Sequence, residues 1–272
     1  MLQSFRYMAP RTRPELLDLL AEYGSRAKLL AGGTDLLVTI RAGVHKPEVV
    51  IDLKKVEGFS GLSWSQTDGL VFRPTTTINE VLQDARVRKD YPLLAACAHD
   101  LASYQVRNRA TVIGNVVNAS PCSDMAPALL CLGATAVLSS KSGERRVLFQ
   151  DFFIGVKRTI LRPEEFLERI EIPAASAGVK GDYRKLKRIQ GHDLGIVGVA
   201  VALKGGKLNI AVSSAAPTPV LVQGLDAGIA VEAAVEAVAK ATSPISDVRC
   251  TKEYREFMIG TYVRRLLQEV RA

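Results

Sequence analysis

Lys28-Leu-Leu-Ala-Gly-Gly-Thr-Asp-Leu36 runs from an apolar strand through a glycine pair into the start of a helix. Lys28–Leu30 reads as the strand, Ala31–Asp35 as the turn and Leu36–Arg41 as the helix. Val49, Val50 and Ile51, within Glu48–Leu53, read as a second strand. Strand, turn, helix and strand make a βαβ unit, so the two strands are expected to be parallel. Gly32 and Gly33 permit positive φ and a close approach of ligand to backbone. Amide groups converging on such a turn suit a pyrophosphate, and Thr34 adds a hydroxyl donor. A plain strand-to-helix turn is the alternative reading, because Gly-Gly turns are common. Two familiar phosphate loops are excluded. No G-x-G occurs, so there is no Rossmann fingerprint, and no Gly-Lys precedes Ser or Thr, so there is no Walker loop.

Before this unit, Thr12 caps a helix over Arg13–Tyr23, with Pro14 in its first turn. After it, Leu62–Ser65 and Leu70–Arg73 flank Gln66-Thr-Asp-Gly as a hairpin. Thr77-Ile-Asn-Glu80 fits a capping box that opens a helix to about Ala85. Leu93–Ser103 and Met125–Leu132 read as helices, and Ala136–Ser139 with Arg146–Leu148 as a hairpin. Val112–Val117 alternates weakly and is broken by Gly114. Phe166–Ile172 is a strand, after which the texture changes. Tyr183–Ile189, Gly195–Leu203 and Leu208–Val212 are expected strands, the last two joined through Lys204-Gly-Gly-Lys207. Val231–Ala241 and Tyr254–Val270 are expected helices. The predicted class is α+β. A mixed domain over 1–174, with lobes of about 1–57 and 58–174, precedes a three-stranded antiparallel sheet with helices over 175–272.

A second polar segment lies between apolar helices: Arg107-Asn-Arg-Ala-Thr-Val-Ile-Gly-Asn-Val-Val-Asn-Ala-Ser-Pro-Cys-Ser-Asp-Met-Ala-Pro127. Such a segment in an apolar setting needs hydrogen-bond partners. Asn115, Asn118, Ser120 and Asp124 are suited to phosphates or to sugar and ribityl hydroxyls. Alternatively Asp124 is a helix N-cap, and the two asparagines tie up loop backbone.

The 272 residues carry 47% hydrophobic and 24% charged side chains, the balance of a globular protein rather than a disordered one. The net charge of +8 is scattered; its densest stretch, Arg184–Arg188, interleaves leucine as a strand edge does. Nucleic acid is therefore not an expected partner. Cys97, Cys122, Cys131 and Cys250 form no C-x-x-C pair, and the three histidines lie far apart, so no metal site is expected. Few cysteines and no apolar signal core point to a cytoplasmic setting. The longest uncharged apolar stretch, Met125–Leu138, contains Pro127 and Gly133 and falls short of the ~20 residues of a membrane span.

The two segments together resemble the FAD-binding medium subunit of the molybdenum hydroxylases, the group of xanthine dehydrogenase and aerobic carbon monoxide dehydrogenase. The family's first flavin loop, A-G-G-(T/H)-(D/S)-L, matches Ala31–Leu36. Its second, R-N-x-(A/G)-T-(I/V/L)-G-G-N followed by S-P-x-(A/S)-D-x-x-P, matches Arg107–Pro127. The resemblance covers nearly the whole chain. It implies a two-lobed FAD-binding domain of the vanillyl-alcohol-oxidase (PCMH) type, then a carbon-monoxide-dehydrogenase-flavoprotein-like C-terminal domain. By the same resemblance Lys28, Leu29, Leu30, Ala31, Gly32, Gly33, Thr34, Asp35 and Leu36 wrap the pyrophosphate side of FAD. Thr111, Gly114, Asn115, Asn118, Ser120 and Asp124 hold diphosphate, ribityl and sugar hydroxyls, and Ala110 and Leu167 complete the implied set. Lys185 matches a lysine that the family places by the isoalloxazine ring, where it stabilises negative charge on reduced flavin; a solvated strand-edge cation is the alternative. One position departs: Ile113 stands where the family has glycine. A β-branched residue tolerates positive φ poorly, so either Ile113 has ordinary φ or the loop path differs.

The implied function is electron transfer. Electrons from 2Fe-2S clusters on a small partner subunit, supplied by a molybdenum cofactor on a large one, pass through FAD to NAD, oxygen or another acceptor. No catalytic acid, base, nucleophile or metal ligand is expected on this chain. Two rivals remain. One is a self-sufficient flavin-dependent reductase of the same superfamily, which needs convergent acid and anion-binding residues in the C-terminal part. The other is a flavin-free basic binding module.

Overall fold

The computed structural model describes residues 4–272. β1 (Arg6–Met8), β2 (Ala27–Leu30) and β3 (Val49–Asp52) form a parallel sheet of order β1-β3-β2. α1 (Arg13–Tyr23) begins at Thr12, whose Oγ1 accepts the Glu15 amide, and stops at Gly24 with φ +49°. Its buried residues Leu16, Leu17, Leu20 and Tyr23 pack with Val49, Ile51, Phe59 and Phe166. α2 (Leu36–Arg41) connects β2 to β3, so the βαβ unit is present with the expected parallel pairing. β1 gave no sequence signal: it has three residues, two of them exposed.

β4 (Leu62–Ser65) and β5 (Gly69–Phe72) form the expected hairpin. A run of helices follows: α3 (Ile78–Gln83), α4 (Ala85–Asp90), α5 (Pro92–Asp100), α6 (Tyr104–Arg107), α7 (Val112–Val117) and α8 (Met125–Cys131). The capping box at Thr77 and Glu80 forms as read from sequence. The single helix expected to Ala85 is broken at Asp84, which turns extended and caps α4 through its own side chain. β6 (Thr135–Ser140) and β7 (Gly143–Leu148) pair, then β8 (Phe153–Gly155) and β9 (Arg158–Thr159) make a small hairpin. β10 (Phe166–Ile172) returns to the centre of an antiparallel sheet of order β4-β5-β10-β6-β7. Phe166 stacks on Phe59 at 5.7 Å, and Arg13 reaches Glu168 at 2.8 Å, so β10 ties this sheet to α1 and the first one.

β11 (Lys180–Leu186), β12 (Val197–Lys204), β13 (Lys207–Ser213) and β14 (Val220–Asp226) form an antiparallel sheet in chain order. The sheet therefore has four strands, where the sequence indicated three. β14 was hidden by Gly224 at φ +73° and by a register shift opposite β13, which break the period-2 pattern. Alternation elsewhere is strict. Val197, Val199, Val201, Leu208, Ile210 and Val212 face α9 (Val231–Ala241) and α10 (Lys252–Arg271) in one core. Tyr183, Ala200, Ala202 and Ala211 join the other core with α5 and α8. Each large aliphatic side chain so buried contributes about 1.5–3 kcal/mol. Among the described residues no helix is long and apolar enough to cross a membrane.

Candidate functional site

Gly32 is where the two polar segments meet. A Cβ there would stand 1.9 Å from the Arg109 carbonyl oxygen and 3.1 Å from the Ala110 Cα, so only glycine lets these backbones touch. Gly33 has φ +79°, a conformation that side chains resist. Beyond it the chain leaves its donors free. Among the described residues the amides of Gly32, Gly33, Thr34, Asp35 and Leu36 have no hydrogen-bond partner; the next, Leu37, donates to the Gly33 carbonyl. Lys54 supports the turn from behind, its ammonium donating to the Ala31 carbonyl at 3.1 Å while paired to Asp52. Five consecutive unpaired donors at a turn fit an anionic, oxygen-rich ligand.

The second segment is a helix where weak alternation was read. Thr111 caps α7, its Oγ1 accepting the Gly114 amide at 2.9 Å. Ile113 lies inside this helix with ordinary φ, buried in the main core. Of the two alternatives at this departure from the family pattern, the first is the one observed. Asn118 reaches across to the first loop: its Nδ2 donates to Asp35 Oδ1 at 3.0 Å, and its Oδ1 accepts from Lys157 Nζ at 2.9 Å. Asn115 turns inward. Its Oδ1 accepts the Ser123 hydroxyl at 2.6 Å and the Met125 amide at 3.3 Å, anchoring the start of α8. Ser120 Oγ accepts the Cys122 amide.

Asp124 precedes α8 but makes no side-chain cap. Its carboxylate instead meets Lys185 Nζ at 2.8 Å and accepts from the Tyr183 hydroxyl at 3.3 Å. Lys185 is not the solvated cation considered above. β11 is an edge strand, yet the Lys185 side chain is 2% exposed and also donates to the Asp100 carbonyl. Burial pushes the Asp124 carboxyl up, with Lys185 opposing, and burial carries the Tyr183 phenol well above its ordinary range. Lys185→Met strands a buried carboxylate, so we expect a stability loss of about 3 kcal/mol by denaturant unfolding. Adding Asp124→Asn should restore part of it. A double variant no more stable than the single one would show that the pair is not coupled.

Leu167 stands apart. Its side chain lies in the main core, at a register shift between β10 and β6. Several residues at the site carried no motif. Among the described residues, four that are not glycine have positive φ: Ala102, Ala119, Lys157 and Ser214. Ala119 lies in the second segment, and the other three are hydrogen-bonded to it. Arg107 donates to the carbonyls of His99 and Leu101 at 2.9 Å and of Ala102 at 3.5 Å. Lys157 N–H donates to the Ala119 carbonyl, and Ser214 N–H to the Pro121 carbonyl. Strained backbone gathered at one place marks a functional site. Arg249 closes the rim, donating to the Gly195 carbonyl at 2.9 Å and contacting Cys122 Sγ at 3.1 Å. Sequence offered no signal for these contacts, because they depend on strands and turns far along the chain.

Glycine and asparagine segments thus meet around a row of free amides, with the buried Lys185–Asp124 pair at the start of α8. Residues 3–175 match the family model described as the FAD binding domain in molybdopterin dehydrogenase. Residues 182–270 match the CO dehydrogenase flavoprotein C-terminal domain. The carbon monoxide dehydrogenase medium chain of Hydrogenophaga pseudoflava is 33% identical over 276 residues, covering 97% of this chain and 96% of that one. The xanthine dehydrogenase FAD-binding subunit of Escherichia coli O157:H7 is 28% identical over 277 residues, covering 97% and 94%. A crystal structure of Cu,Mo-CO dehydrogenase superposes with TM-score 0.91 at 29% identity, covering 100% of this chain and 99% of that one. The chain belongs to the family of FAD-binding medium subunits of the molybdenum hydroxylases. Its cofactor is FAD, and it is a subunit of an oxidoreductase with partner chains.

Proposed function

We propose that this chain relays electrons in a complex, holding FAD between Ala31–Leu36 and Ala110–Asp124. The observation that carries this reading is the row of five free amides at a turn seated on Arg109 and Ala110. When bound, FAD supplies the two-electron carrier chemistry. The chain's own residues bind and orient it. The amides of residues 32–36 take the diphosphate. Thr111, Gly114, Asn118 and Ser120 face the linking hydroxyls, with Asn115 setting the loop's shape. Lys185, held by Asp124, would supply a buried positive charge toward the flavin ring. The division into 1–174 and 175–272 follows β10, which closes the second sheet before β11 opens the third.

Partner chains would supply the 2Fe-2S clusters and the molybdenum cofactor, and an acceptor such as NAD would take the electrons. Among the described residues no three metal-binding side chains are gathered. The four free cysteines suit a cytoplasmic setting. The reductase alternative needs open acidic and anion-binding groups in the C-terminal part. There Arg184 pairs with Glu269, Arg188 with Asp193, Arg249 with Asp247 and Arg264 with Glu232. The pure chain should be yellow with FAD and should not hydroxylate a purine or an aldehyde. Copurification should recover a larger and a smaller chain. A colourless protein that gains no flavin absorbance in excess FAD would overturn the reading.

A further inference from the structure

The hairpin between β8 and β9 belongs to neither glycine segment, yet it delivers a charge between them. Lys157, at its turn, has φ +58°, and Ala119, in the second segment, has φ +45°. A hydrogen bond of 2.8 Å from the Lys157 amide to the Ala119 carbonyl joins these two strained residues. Neither is glycine, although glycine would adopt both conformations freely. Each of the two side chains is therefore held at some backbone cost.

That side chain points at the dinucleotide cradle. Its ammonium lies 2.9 Å from Asn118 Oδ1, and the same amide group donates to Asp35, the last residue of the first turn. Asn118 thus separates one cation from one carboxylate at the mouth of the cradle. The cation is needed there. A diphosphate carries two negative charges, and Asp35 adds a third beside the free amides. Lys54 is already committed to Asp52. Lys28, on β2, is a second cation beside His45. His45 lies in the same field: burial, then Lys28 and Lys157, hold its imidazole below the ordinary range.

We propose that Lys157 is an FAD-binding residue whose ammonium neutralises the diphosphate from outside the two glycine segments. The inference rests on reading Ala31–Leu36 as the diphosphate turn. Its test is titration of the flavin-free full chain with FAD at several salt concentrations. The variants are Lys157→Gln, Lys157→Gly and Lys157→Arg, and riboflavin, which lacks phosphate, is the second probe. Lys157→Gln and Lys157→Gly should weaken FAD binding at least tenfold and lower the salt dependence of affinity. Lys157→Arg should stay within about threefold of wild type. Riboflavin affinity should be the same in all four proteins. Lys157→Gly relieves the backbone and should melt no lower than wild type, which separates lost charge from lost structure. If wild type binds FAD and Lys157→Gln binds it equally well at every salt concentration, the inference is wrong and the site reading stands. If wild type itself binds no FAD, both fall.

Discussion

Gly32→Ala should abolish FAD binding, with an affinity loss beyond a hundredfold. The new methyl would stand 1.9 Å from the Arg109 carbonyl oxygen, a distance no packing adjustment absorbs. Either the first turn lifts off the second segment or the chain around Arg109 moves. Both responses separate the amides of residues 32–36 from the asparagine side of the cradle. Overpacking also costs stability, typically ~1–3 kcal/mol. A control separates the two effects. A Cβ on Gly69 would likewise stand 1.9 Å from a carbonyl oxygen, that of Ile172, at the β4–β5 turn. Gly69→Ala should destabilise the chain at least as much, yet its folded fraction should take up FAD normally. Equal FAD affinity in Gly32→Ala and wild type, read by flavin absorbance after gel filtration, would show that the turn is not part of the site.

Asp247→Asn should produce the second large effect, on stability. Arg255 is 2% exposed; its Nη1 donates to the Ser214 carbonyl at 2.6 Å and its Nη2 lies 3.1 Å from Asp247 Oδ1. Removing the carboxylate leaves a buried guanidinium without its counter-charge, at a cost of about 3 kcal/mol. For a chain of this size that is a fall in melting temperature on the order of 6–10 °C. The Arg249 guanidinium and backbone amide hold the Asp247 carboxyl well below its ordinary value, against a smaller opposing effect of burial. The pH dependence follows. A carboxyl with a depressed folded-state pKa stabilises above its unfolded value of 3.8, and that contribution fades as pH falls toward the folded value. The gap between wild type and Asp247→Asn should therefore be full at pH 6 and shrink below pH 4. A gap independent of pH would refute the ion-pair account. FAD affinity should fall modestly too. Arg255 holds Ser214, and the Ser214 amide holds the Pro121 carbonyl of the second segment.

Much of the fold was legible because punctuation and periodicity agreed. The Gly-Gly pair after Lys28–Leu30 marked the βαβ unit, and the Thr77–Glu80 box marked α3. Val112–Val117 misled: three valines and an isoleucine around a glycine favour an extended reading, and only the Thr111 cap and burial against the core make it helical. β14 was lost to Gly224. Both segments stand out in the sequence, but the contacts their side chains make do not. Asp124 looks like a helix cap until β11 brings Lys185 to it. Asn115 looks free until Ser123 folds back onto it. Lys157 carries no motif, since a hairpin turn takes many residues and its meaning comes from Asn118.

The contact of Gly32 with Arg109 and Ala110 also orders events during the chain's birth. Neither half of the nucleotide seat exists alone, and the salt link to Asp124 needs a strand that leaves the ribosome later still. A nascent chain ending before β11 lacks the lysine that pairs with Asp124, so the proposed seat is finished only after Leu186 has emerged. The ligand then acts as a late clasp over three sheets already built, and cells short of riboflavin should accumulate a folded, empty subunit rather than a misfolded one.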